Sequence, residues 1–396
     1  MIYDYKTVPT PCFVVEETLL KKNLEILKSV MERTGCHILL AQKCFSMYHT
    51  YPLLAGYLSG TTASGLYEAR LGKEYFGKET HVYSAAYKDD EIDELLEICD
   101  HIVFNSFSQW NRYRDKAKKR NIKCGLRINP ECSTQKGHEI YDPCAPYSRM
   151  GITNENFDRE NLDGISGLHF HTLCEQNSHD LRTTVNAVKE QFSDVLEKME
   201  WINFGGGHHI TKDDYDIECL IQCINEMKEE FGLDVYLEPG EAVALNAGFM
   251  VSTVLDIVHN GIDIAILDTS AACHMPDVIE MPYTPKIVEA AAIIEDLSSV
   301  RMEDNTGEKV QNEAEQNRRI YRITGPTCLA GDVIGDYFFD RELKVGDRIM
   351  FEDMAIYSMV KTNTFNGMRL PGIAYKDEEG IRMIRQFGYE DFKNRL

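Results

Sequence analysis

Four groups that could take part in catalysis or ligand binding lie at the end of a short apolar run or directly after one. A lysine, Lys43, ends the run that starts at residue 37, and His171 ends the run that starts at residue 167. Three successive glycines, beginning with Gly205, follow a third run, and Glu238 closes a fourth. An amine, an imidazole, a glycine turn and a carboxylate at strand ends predict a catalytic or cofactor-binding site if the runs meet in the fold.

The combination fits pyridoxal 5'-phosphate. Lys43 would supply the amine for a Schiff base with the cofactor aldehyde. The N–H groups of a glycine turn can approach a phosphate closely, because no side chain is in the way. His171 would lie flat on the aromatic ring, and Glu238 would keep the pyridine nitrogen protonated. Each residue alone also fits an ordinary role, such as a surface lysine or a tight turn, but the four agree on one cofactor.

A metal site is the alternative interpretation of the same region. His169 and His171 alternate along one predicted strand and therefore point the same way. His208 and His209 would lie nearby, as in barrel metal sites. A clear set of acidic ligands is missing, however, and a metal would leave Lys43 and the glycines unexplained. We therefore expect pyridoxal phosphate and no metal.

These groups come together if the apolar runs are strands of one barrel. Helix-like stretches separate most of the runs, and eight parallel strands alternating with helices close into a (β/α)8 barrel. Its active site lies where the strands end, which brings Lys43 and Glu238 to one mouth. The predicted fold class is α/β. The eight runs are His37–Lys43, Gly60–Ser64, His81–Ala85, His101–Asn105, Lys123–Asn129, Gly167–His171, Trp201–Gly205 and Val235–Pro239.

The remainder of the chain predicts a second, all-β domain. The sequence has 396 residues, and the barrel as predicted spans 18–247. Four short β-branched runs with turn residues between them follow the barrel, at 251–258, 264–267, 319–324 and 348–352, and the run 10–16 has the same character. The β-domain is therefore expected to comprise 1–17 and 248–396. The segment 295–318 is polar and charge-rich, which predicts a solvated loop or hairpin insert.

The net charge and the cysteine content limit the possible binding partners and the cellular compartment. A formal charge of -22 argues against nucleic-acid binding, because nucleic-acid phosphates are bound by basic residues. The same negative charge can steer a cationic substrate toward the protein. The 12 cysteines form no disulfide framework. The sequence has no signal-peptide pattern and no apolar run of membrane-spanning length. We expect a cytoplasmic enzyme with no membrane partner.

From about Thr10 to the last strand, the chain resembles the fold type III, alanine racemase-like pyridoxal-phosphate decarboxylases. Within that group it most resembles the carboxynorspermidine/carboxyspermidine decarboxylases. The resemblance rests on five motifs and on the run 357–367, and it covers most of the chain. The motifs are Ala41–Lys43, Gly167–Glu175, Asn203–His209, Cys273–Asp277 and Gly325–Asp332.

The resemblance implies roles for individual positions. Lys43 would bind the cofactor covalently and His171 would stack on its ring, while Glu238 would hold the ring nitrogen. Cys328 would cross the interface of a homodimer into the partner's site and protonate the product, although a free cysteine is commonly a small buried hydrophobe. The implied phosphate-binding residues are Gly205, Gly206, Gly207 and Tyr357.

Departures from the wider group indicate the substrate. Ornithine, arginine and diaminopimelate decarboxylases generally carry arginine after Glu-Pro-Gly, and an acidic residue after the interface cysteine. This chain has Glu241 and Leu329 at those positions. Acids such as Glu241 and Asp277 suit ammonium groups and a leucine suits methylenes, while Asp332 is a third candidate for substrate binding. The alternative for Glu241 and Asp277 is a structural one, pairing with a local basic residue or capping a turn.

The expected reaction is decarboxylation of carboxyspermidine or carboxynorspermidine to spermidine or norspermidine, as a step of polyamine biosynthesis. A basic amino-acid or diaminopimelate decarboxylase is the nearest alternative, opposed by Glu241 and Leu329. A racemase, a non-catalytic pyridoxal-phosphate carrier and a metal-dependent barrel hydrolase fit the motifs less well. The two polyamine substrates differ by one methylene, so the sequence leaves the preference between them open.

Overall fold

The computed structural model describes residues 1–120, 122–135, 139–292 and 319–396. The chain divides into two compact units. We call Lys21–Val243 the barrel unit, and Met1–Leu20 together with Ala244–Leu396 the sheet unit. The sequence analysis put these boundaries at 17/18 and 247/248, a few residues away. The predicted polar insert at 295–318 lies outside the described residues.

The secondary structure alternates in the first part of the chain and is mainly β afterwards. The strands are β1 (Cys12–Glu16), β2 (His37–Ala41), β3 (Gly60–Ala63), β4 (Glu79–Tyr83), β5 (His101–Phe104), β6 (Lys123–Asn129), β7 (Ile152–Thr153), β8 (Gly167–His169), β9 (Trp201–Asn203), β10 (Asp234–Leu237), β11 (Gly248–Asn260), β12 (Ile262–Leu267), β13 (Ala290–Ala292), β14 (Arg319–Thr324), β15 (Val333–Phe339), β16 (Arg348–Phe351), β17 (Gly372–Asp377) and β18 (Gly380–Arg385). The helices are α1 (Glu17–Thr34), α2 (Tyr51–Leu54), α3 (Leu66–Tyr75), α4 (Ile92–Ile98), α5 (Phe107–Arg120), α6 (Ser178–Leu196), α7 (Ile217–Phe231), α8 (Glu241–Ala244), α9 (Ala271–His274), α10 (Asp277–Glu280) and α11 (Tyr389–Lys393). Within the described ranges, none of these helices has the length and apolar character to cross a membrane.

The barrel unit contains a closed parallel barrel of eight strands. The strands β2, β3, β4, β5, β6, β8, β9 and β10 pair in this order, and β10 pairs with β2 to close the ring. Each of the eight predicted runs overlaps one of these strands, so the barrel prediction is confirmed. Because all eight strands run the same way, their carboxyl ends share one rim of the barrel.

Glycines inside two strands make room for a buried indole. The ring of Trp201 is fully buried among barrel strands. A Cβ on Gly167 would lie 2.1 Å from the Trp201 ring, and a Cβ on Gly125 would lie 2.4 Å from it. Side chains at these two positions would therefore displace the indole. The Trp201 Nε1–H donates to Ser166 Oγ at 3.0 Å, which satisfies the buried ring nitrogen.

The helix α7 shows how the sequence sets the outer layer. The Asp216 carboxylate accepts the N–H of Cys219 at 3.0 Å and caps the first turn. The helix ends at Gly232, whose φ of 71° is easily adopted by glycine. Leu220, Ile224 and Met227 recur at helical spacing and are buried.

The sheet unit is built on one sheet of nine strands. Its order is β13-β15-β14-β12-β11-β1-β17-β18, with β16 paired to β11. The first strand joins this sheet, antiparallel to β11 and parallel to β17. The C-terminal β-domain predicted from the sequence is confirmed in this unit. Its largest core cluster includes Tyr321, Tyr337, Phe339 and Phe351.

Four strands of this sheet were not identified from the sequence, namely β13, β15, β17 and β18. Their residues mix small, charged and apolar types without a clear alternation, as in Gly380–Arg385. They are strands because neighbouring strands supply their backbone partners. In β17, Ala374 is fully buried, but this follows from its place between β1 and β18 and not from local sequence.

Candidate active site

Lys43 is exposed in a tight turn at the carboxyl end of β2. The Ala41 carbonyl accepts the N–H of Cys44 at 3.1 Å, which closes this turn. Gly240 lies so close that a Cβ on it would come within 2.5 Å of the Cys44 Cβ. The turn that carries Lys43 therefore contacts the turn that follows Glu238, as the barrel prediction requires.

Glu238 is a buried carboxylate with two hydrogen-bond donors. Asn203 Nδ2 donates to its Oε1 at 2.8 Å, and His169 Nε2 lies 3.2 Å from its Oε2. Burial raises the pKa of Glu238, but His169 and the other donors outweigh burial and lower this pKa to about 2. Burial lowers the pKa of His169, so we assign a neutral ring that donates its Nε2–H. Glu238 is therefore ionised at neutral pH and able to hold a cationic ring nitrogen.

His171 presents a neutral imidazole. The Gly206 N–H donates to His171 Nδ1 at 3.1 Å, which makes Nδ1 an acceptor and puts the ring proton on Nε2. Burial and the charge of Lys43 lower the pKa of His171 well below its usual value. A neutral ring can face a protonated pyridine without charge repulsion. The stacking role of His171 stays a prediction.

The glycine turn after β9 has no room for side chains. Gly205 and Gly207 have positive φ values of 68° and 80°, a region that glycine adopts most easily. A Cβ on Gly205 would lie 2.4 Å from the Phe170 carbonyl oxygen, and one on Gly207 would lie 2.0 Å from that of Leu173. Both conformation and close approach therefore require glycine at these positions.

Only part of this turn can donate to an anion. The N–H groups of the first two glycines already donate to the side chains of Asn203 and His171. Within the described ranges, the N–H groups of Gly207 and His208 donate to no protein acceptor. Two backbone donors are thus available for a phosphate, which is fewer than the run of glycines suggests.

We expect Gly207→Ala to lower the free energy of unfolding by more than the backbone strain alone, which costs about 1–2 kcal/mol per left-handed residue. Gly232→Ala is the matched control, because Gly232 also has a positive φ of 71° but nothing within 4 Å of an added Cβ. Urea unfolding of both cofactor-free variants separates the free-energy cost of backbone strain from the cost of the steric clash made by the added Cβ. Equal losses in the two variants would contradict the close packing at Gly207.

His209 and Glu241 form a buried pair beside the glycine turn. His209 Nε2 lies 2.8 Å from Glu241 Oε2, and both residues are 9% exposed. Burial lowers the pKa of His209, but the carboxylates of Glu241 and Glu175 outweigh burial, so this pKa is raised overall. The structure therefore supplies the local basic partner that the structural interpretation of Glu241 required.

Arg127 is a site residue that the sequence analysis did not identify. It is 3% exposed, and its Nη2 donates to the His171 carbonyl oxygen at 3.0 Å. The guanidinium carbon lies 4.6 Å from the ring centre of Tyr83, and the buried Nε has no partner in the described part of the chain. An arginine within the apolar strand β6 was the signal that could have identified it.

Asp332 holds the loop that carries Cys328. Its buried Oδ1 accepts from Ser270 Oγ at 3.0 Å and from the Ala272 N–H at 3.3 Å. Its Oδ2 accepts from Thr327 Oγ1 at 2.7 Å, one residue before Cys328. Both oxygens are thus engaged within the sheet unit, and Asp332 can orient this loop.

The end of the same loop is open to solvent. Cys328 is exposed, and its N–H donates to Asn366 Oδ1 at 3.0 Å. Leu329 is 44% exposed. A thiol and an apolar side chain therefore stand side by side on this loop.

Tyr357 has a backbone conformation that bulky residues rarely adopt. Its φ is +46°, in the left-handed region. Such strain is most often retained where a side chain must be aimed. The predicted phosphate-binding role of Tyr357 stays a prediction.

Asp277 belongs to a cluster of two acids and one lysine. It pairs with Lys361, whose Nζ also donates to Glu280 Oε2 at 2.7 Å. Asp277 begins the short helix α10. Because two carboxylates share one ammonium, the cluster keeps a net negative charge that could meet a cationic group.

One group in the described ranges could hold a metal ion, namely Glu79, His81 and His101. His81 Nε2 lies 3.0 Å from Glu79 Oε2, so the imidazole already has a partner. The two imidazoles are stacked with centroids 4.0 Å apart and planes 11° apart. A single ion cannot lie in the plane of both stacked rings without ring rotation.

The predicted site residues divide between the two units. The barrel unit brings together the turn of Lys43, the Glu238 carboxylate, the His171 ring and the glycine turn. Glu241 also lies in the barrel unit, and the sheet unit carries Tyr357, Asp277, Cys328 and Asp332.

A family profile and close relatives match the chain. The profile described as pyridoxal-dependent decarboxylase, C-terminal sheet domain, matches residues 2–355. A carboxynorspermidine/carboxyspermidine decarboxylase of Campylobacter jejuni is 44% identical over 392 residues, which cover 99% of each chain. A carboxyaminopropylagmatine decarboxylase of a Synechocystis strain is 40% identical over 98% of this chain and 96% of its own length.

A solved structure of a relative has the same fold as this chain. The crystal structure of carboxynorspermidine decarboxylase from Campylobacter jejuni, complexed with norspermidine, is similar to this chain with a TM-score of 0.88. The two sequences are 43% identical, and the match covers 98% of this chain and 100% of the other.

Proposed function

The chain belongs to the pyridoxal-dependent decarboxylases, and we propose that it acts on a carboxylated polyamine, carboxyspermidine or carboxynorspermidine. It is a carboxy-lyase that uses pyridoxal 5'-phosphate. The metal-dependent hydrolase and the non-catalytic carrier are thereby set aside. The proposed products are spermidine or norspermidine together with carbon dioxide.

The residues of the barrel unit fit this cofactor. When bound, pyridoxal phosphate supplies an electron sink for the electron pair of the breaking Cα–carboxylate bond. We propose that Lys43 Nζ is the attachment point and that the ionised Glu238 keeps the ring nitrogen protonated. The neutral ring of His171 would face the cofactor ring, with Arg127 bracing it through the His171 carbonyl. In our proposal, Cys328 Sγ delivers the proton to Cα after carbon dioxide leaves.

Leu329 is the observation that carries the substrate proposal. Its exposed apolar side chain follows Cys328 directly, where an amino-acid decarboxylase of this fold would need a charge for a short cationic tail. A long polyamine instead brings methylenes to this position. We propose that its distal ammonium meets the acidic cluster of Asp277, Glu280 and Lys361.

Carboxyaminopropylagmatine is the second candidate substrate, favoured by the 40% identity to the Synechocystis relative. Its agmatine end carries a planar guanidinium, which pairs best with a carboxylate presented in a fork geometry. Asp277 is already paired with Lys361 in the structure, so its carboxylate is not free for a bidentate contact. A compact ammonium fits the shared acidic cluster better.

Comparing the three carboxylated polyamines side by side tests the proposal. We expect kcat/KM for carboxyspermidine and carboxynorspermidine to differ by roughly 10- to 200-fold at most, the range for one methylene. We expect both to exceed carboxyaminopropylagmatine, and ornithine, arginine and diaminopimelate to be turned over far more slowly. A higher kcat/KM for the guanidinium substrate would make the second candidate correct, and a preference for diaminopimelate would overturn the polyamine proposal.

We also propose a cytoplasmic homodimer with shared active sites. None of the 12 cysteines, all of which lie in the described ranges, forms a disulfide bond, and several are partly exposed, which suits a reducing compartment. The proposed proton donor lies in the sheet unit and the cofactor lysine lies in the barrel unit, so a second subunit can complete the site.

A further inference from the structure

We infer that His209, held in its cationic form by Glu241, is the charged ligand of the cofactor phosphate in this chain. Glu241 is then a positioning residue for His209 and not the residue that reads the substrate tail. The inference rests on the dependence on pyridoxal phosphate and is independent of the proposed substrate. It is argued from residues of the barrel unit alone.

The glycine turn needs help from a cation. A phosphate carries close to two negative charges at neutral pH, and two of the three glycine N–H groups are engaged by Asn203 and His171. In the described part of the chain this leaves Gly207 and His208 as free backbone donors. The residue after Glu-Pro-Gly is an acid, so it cannot itself neutralise the phosphate. A positive group close to the turn would complete the charge balance.

His209 is two residues beyond the last glycine and has a nitrogen available. Its Nε2 lies 2.8 Å from Glu241 Oε2, while its Nδ1 is buried without a partner among the described residues. A cationic imidazole carries protons on both nitrogens. The Nδ1–H is then a buried donor without an acceptor, an arrangement that proteins generally avoid. A phosphate oxygen is the acceptor that would satisfy it.

The adjacent histidine shows why the cation is at 209. His208 Nε2 lies 3.3 Å from the Phe204 carbonyl oxygen, an acceptor that carries no full charge. Burial therefore dominates and lowers the pKa of His208 to about 4, so its ring is neutral. Its Nδ1 is then a bare acceptor and would repel a phosphate oxygen. The two histidines differ because one has a carboxylate partner and the other has a carbonyl.

Several charged groups determine the protonation of His209. The carboxylates of Glu241 and Glu175 favour the cation, and the Lys212 ammonium opposes it, as does burial. The net direction is a raised pKa, which extends the pH range over which His209 keeps its second proton, and the ring loses that proton as the pH rises. The contribution of the His209 charge to phosphate binding should therefore be lost as the pH rises.

The test compares the affinities of the cofactor-free enzyme for pyridoxal 5'-phosphate and for pyridoxal, which lacks the phosphate. We expect His209→Gln and Glu241→Gln each to weaken the phosphate-bearing ligand at least tenfold and to change pyridoxal affinity less than twofold. Equal weakening of both ligands would show a structural role and overturn the inference. If the variants bind both ligands as the wild type does but have a raised KM for the polyamine, Glu241 binds the substrate and the inference is overturned.

The ratio of the two affinities should also depend on pH. Between about pH 7 and pH 10 the phosphate keeps close to two negative charges, and attachment to the Lys43 amine is common to both ligands, so its contribution cancels in the ratio. In the wild-type enzyme the preference for the phosphate-bearing ligand should fall as the pH rises, and in His209→Gln it should stay flat. His208→Gln is the matched control and should retain the wild-type pH dependence. A flat profile in the wild-type enzyme would overturn the inference. Thermal melting of each cofactor-free variant identifies any that fails to fold.

Discussion

Lys43→Ala is expected to abolish decarboxylation, with a loss on the order of 10⁴-fold or more, the scale seen when an enzyme loses its covalent residue. Without the primary amine the cofactor cannot be attached, although the glycine turn can still hold some of it through the phosphate. Reduction with borohydride followed by intact mass measurement should add the cofactor to the wild-type chain and not to the variant. The visible absorbance of the bound cofactor should change in parallel.

Lys43→Arg separates the amine from its charge. Lys43 is one of the charges that lower the pKa of His171, and it opposes the raised pKa of Glu68. Arginine keeps a cation at this position but offers no amine that can attach the cofactor. We therefore expect the arginine variant to be as inactive as the alanine variant. Turnover close to wild type in either variant would rule out Lys43 as the attachment point.

The second large effect concerns Cys328 and the proposed homodimer. Removing a group that transfers a proton costs roughly 10²- to 10⁴-fold, so Cys328→Ala should lose most of kcat while cofactor content is unchanged. Mixing a Lys43→Ala chain with a Cys328→Ala chain should then restore activity. If each site uses Lys43 of one chain and Cys328 of the other, a mixed dimer contains one intact site, and random exchange restores about one quarter of wild-type activity.

The controls for this experiment are a second cysteine and a mass measurement. Cys132→Ala removes another thiol that is not fully buried, and we expect it to leave activity near wild type. Native mass spectrometry reports whether mixed dimers have formed. If mixed dimers form and activity does not return, Cys328 acts within its own chain and the shared-site proposal is wrong. A monomeric wild-type enzyme would contradict the homodimer itself.

Local sequence patterns were sufficient for the barrel and for the positions of its functional groups. The eight strands are short apolar runs, nearly every predicted run ends in a polar or glycine residue, and parallel strands bring all their carboxyl ends to one rim. Lys43, Glu238 and the glycine turn were therefore found from their positions after strands. The steric reason for the glycines is also local in part, because positive φ values favour glycine whatever surrounds it.

The ionisation state and the partners of those groups could not be predicted in this way. The carboxylate of Glu238 is ionised because of His169, which lies 69 residues away in sequence. Glu241 has the same side chain as Glu238, but its partner is His209, and only the fold shows that this pair is buried. Two glutamates of similar local context thus have different partners in the fold, and we propose different functions for them on that ground.

The sequence by itself determined the fold class from its pattern of short apolar runs and the cofactor from residue types at strand ends, and it indicated the reaction through the resemblance of its motifs to a known family. Only the tertiary structure shows which acidic side chains already have hydrogen-bond or ion-pair partners within the protein. Asp332 accepts a hydrogen bond from Ser270, Asp277 shares Lys361 with Glu280, and Arg127 is buried beside His171. These contacts join residues far apart in the chain, and hydrogen bonds and ion pairs depend on distance in space. Spacing along the sequence therefore carries no signal for them.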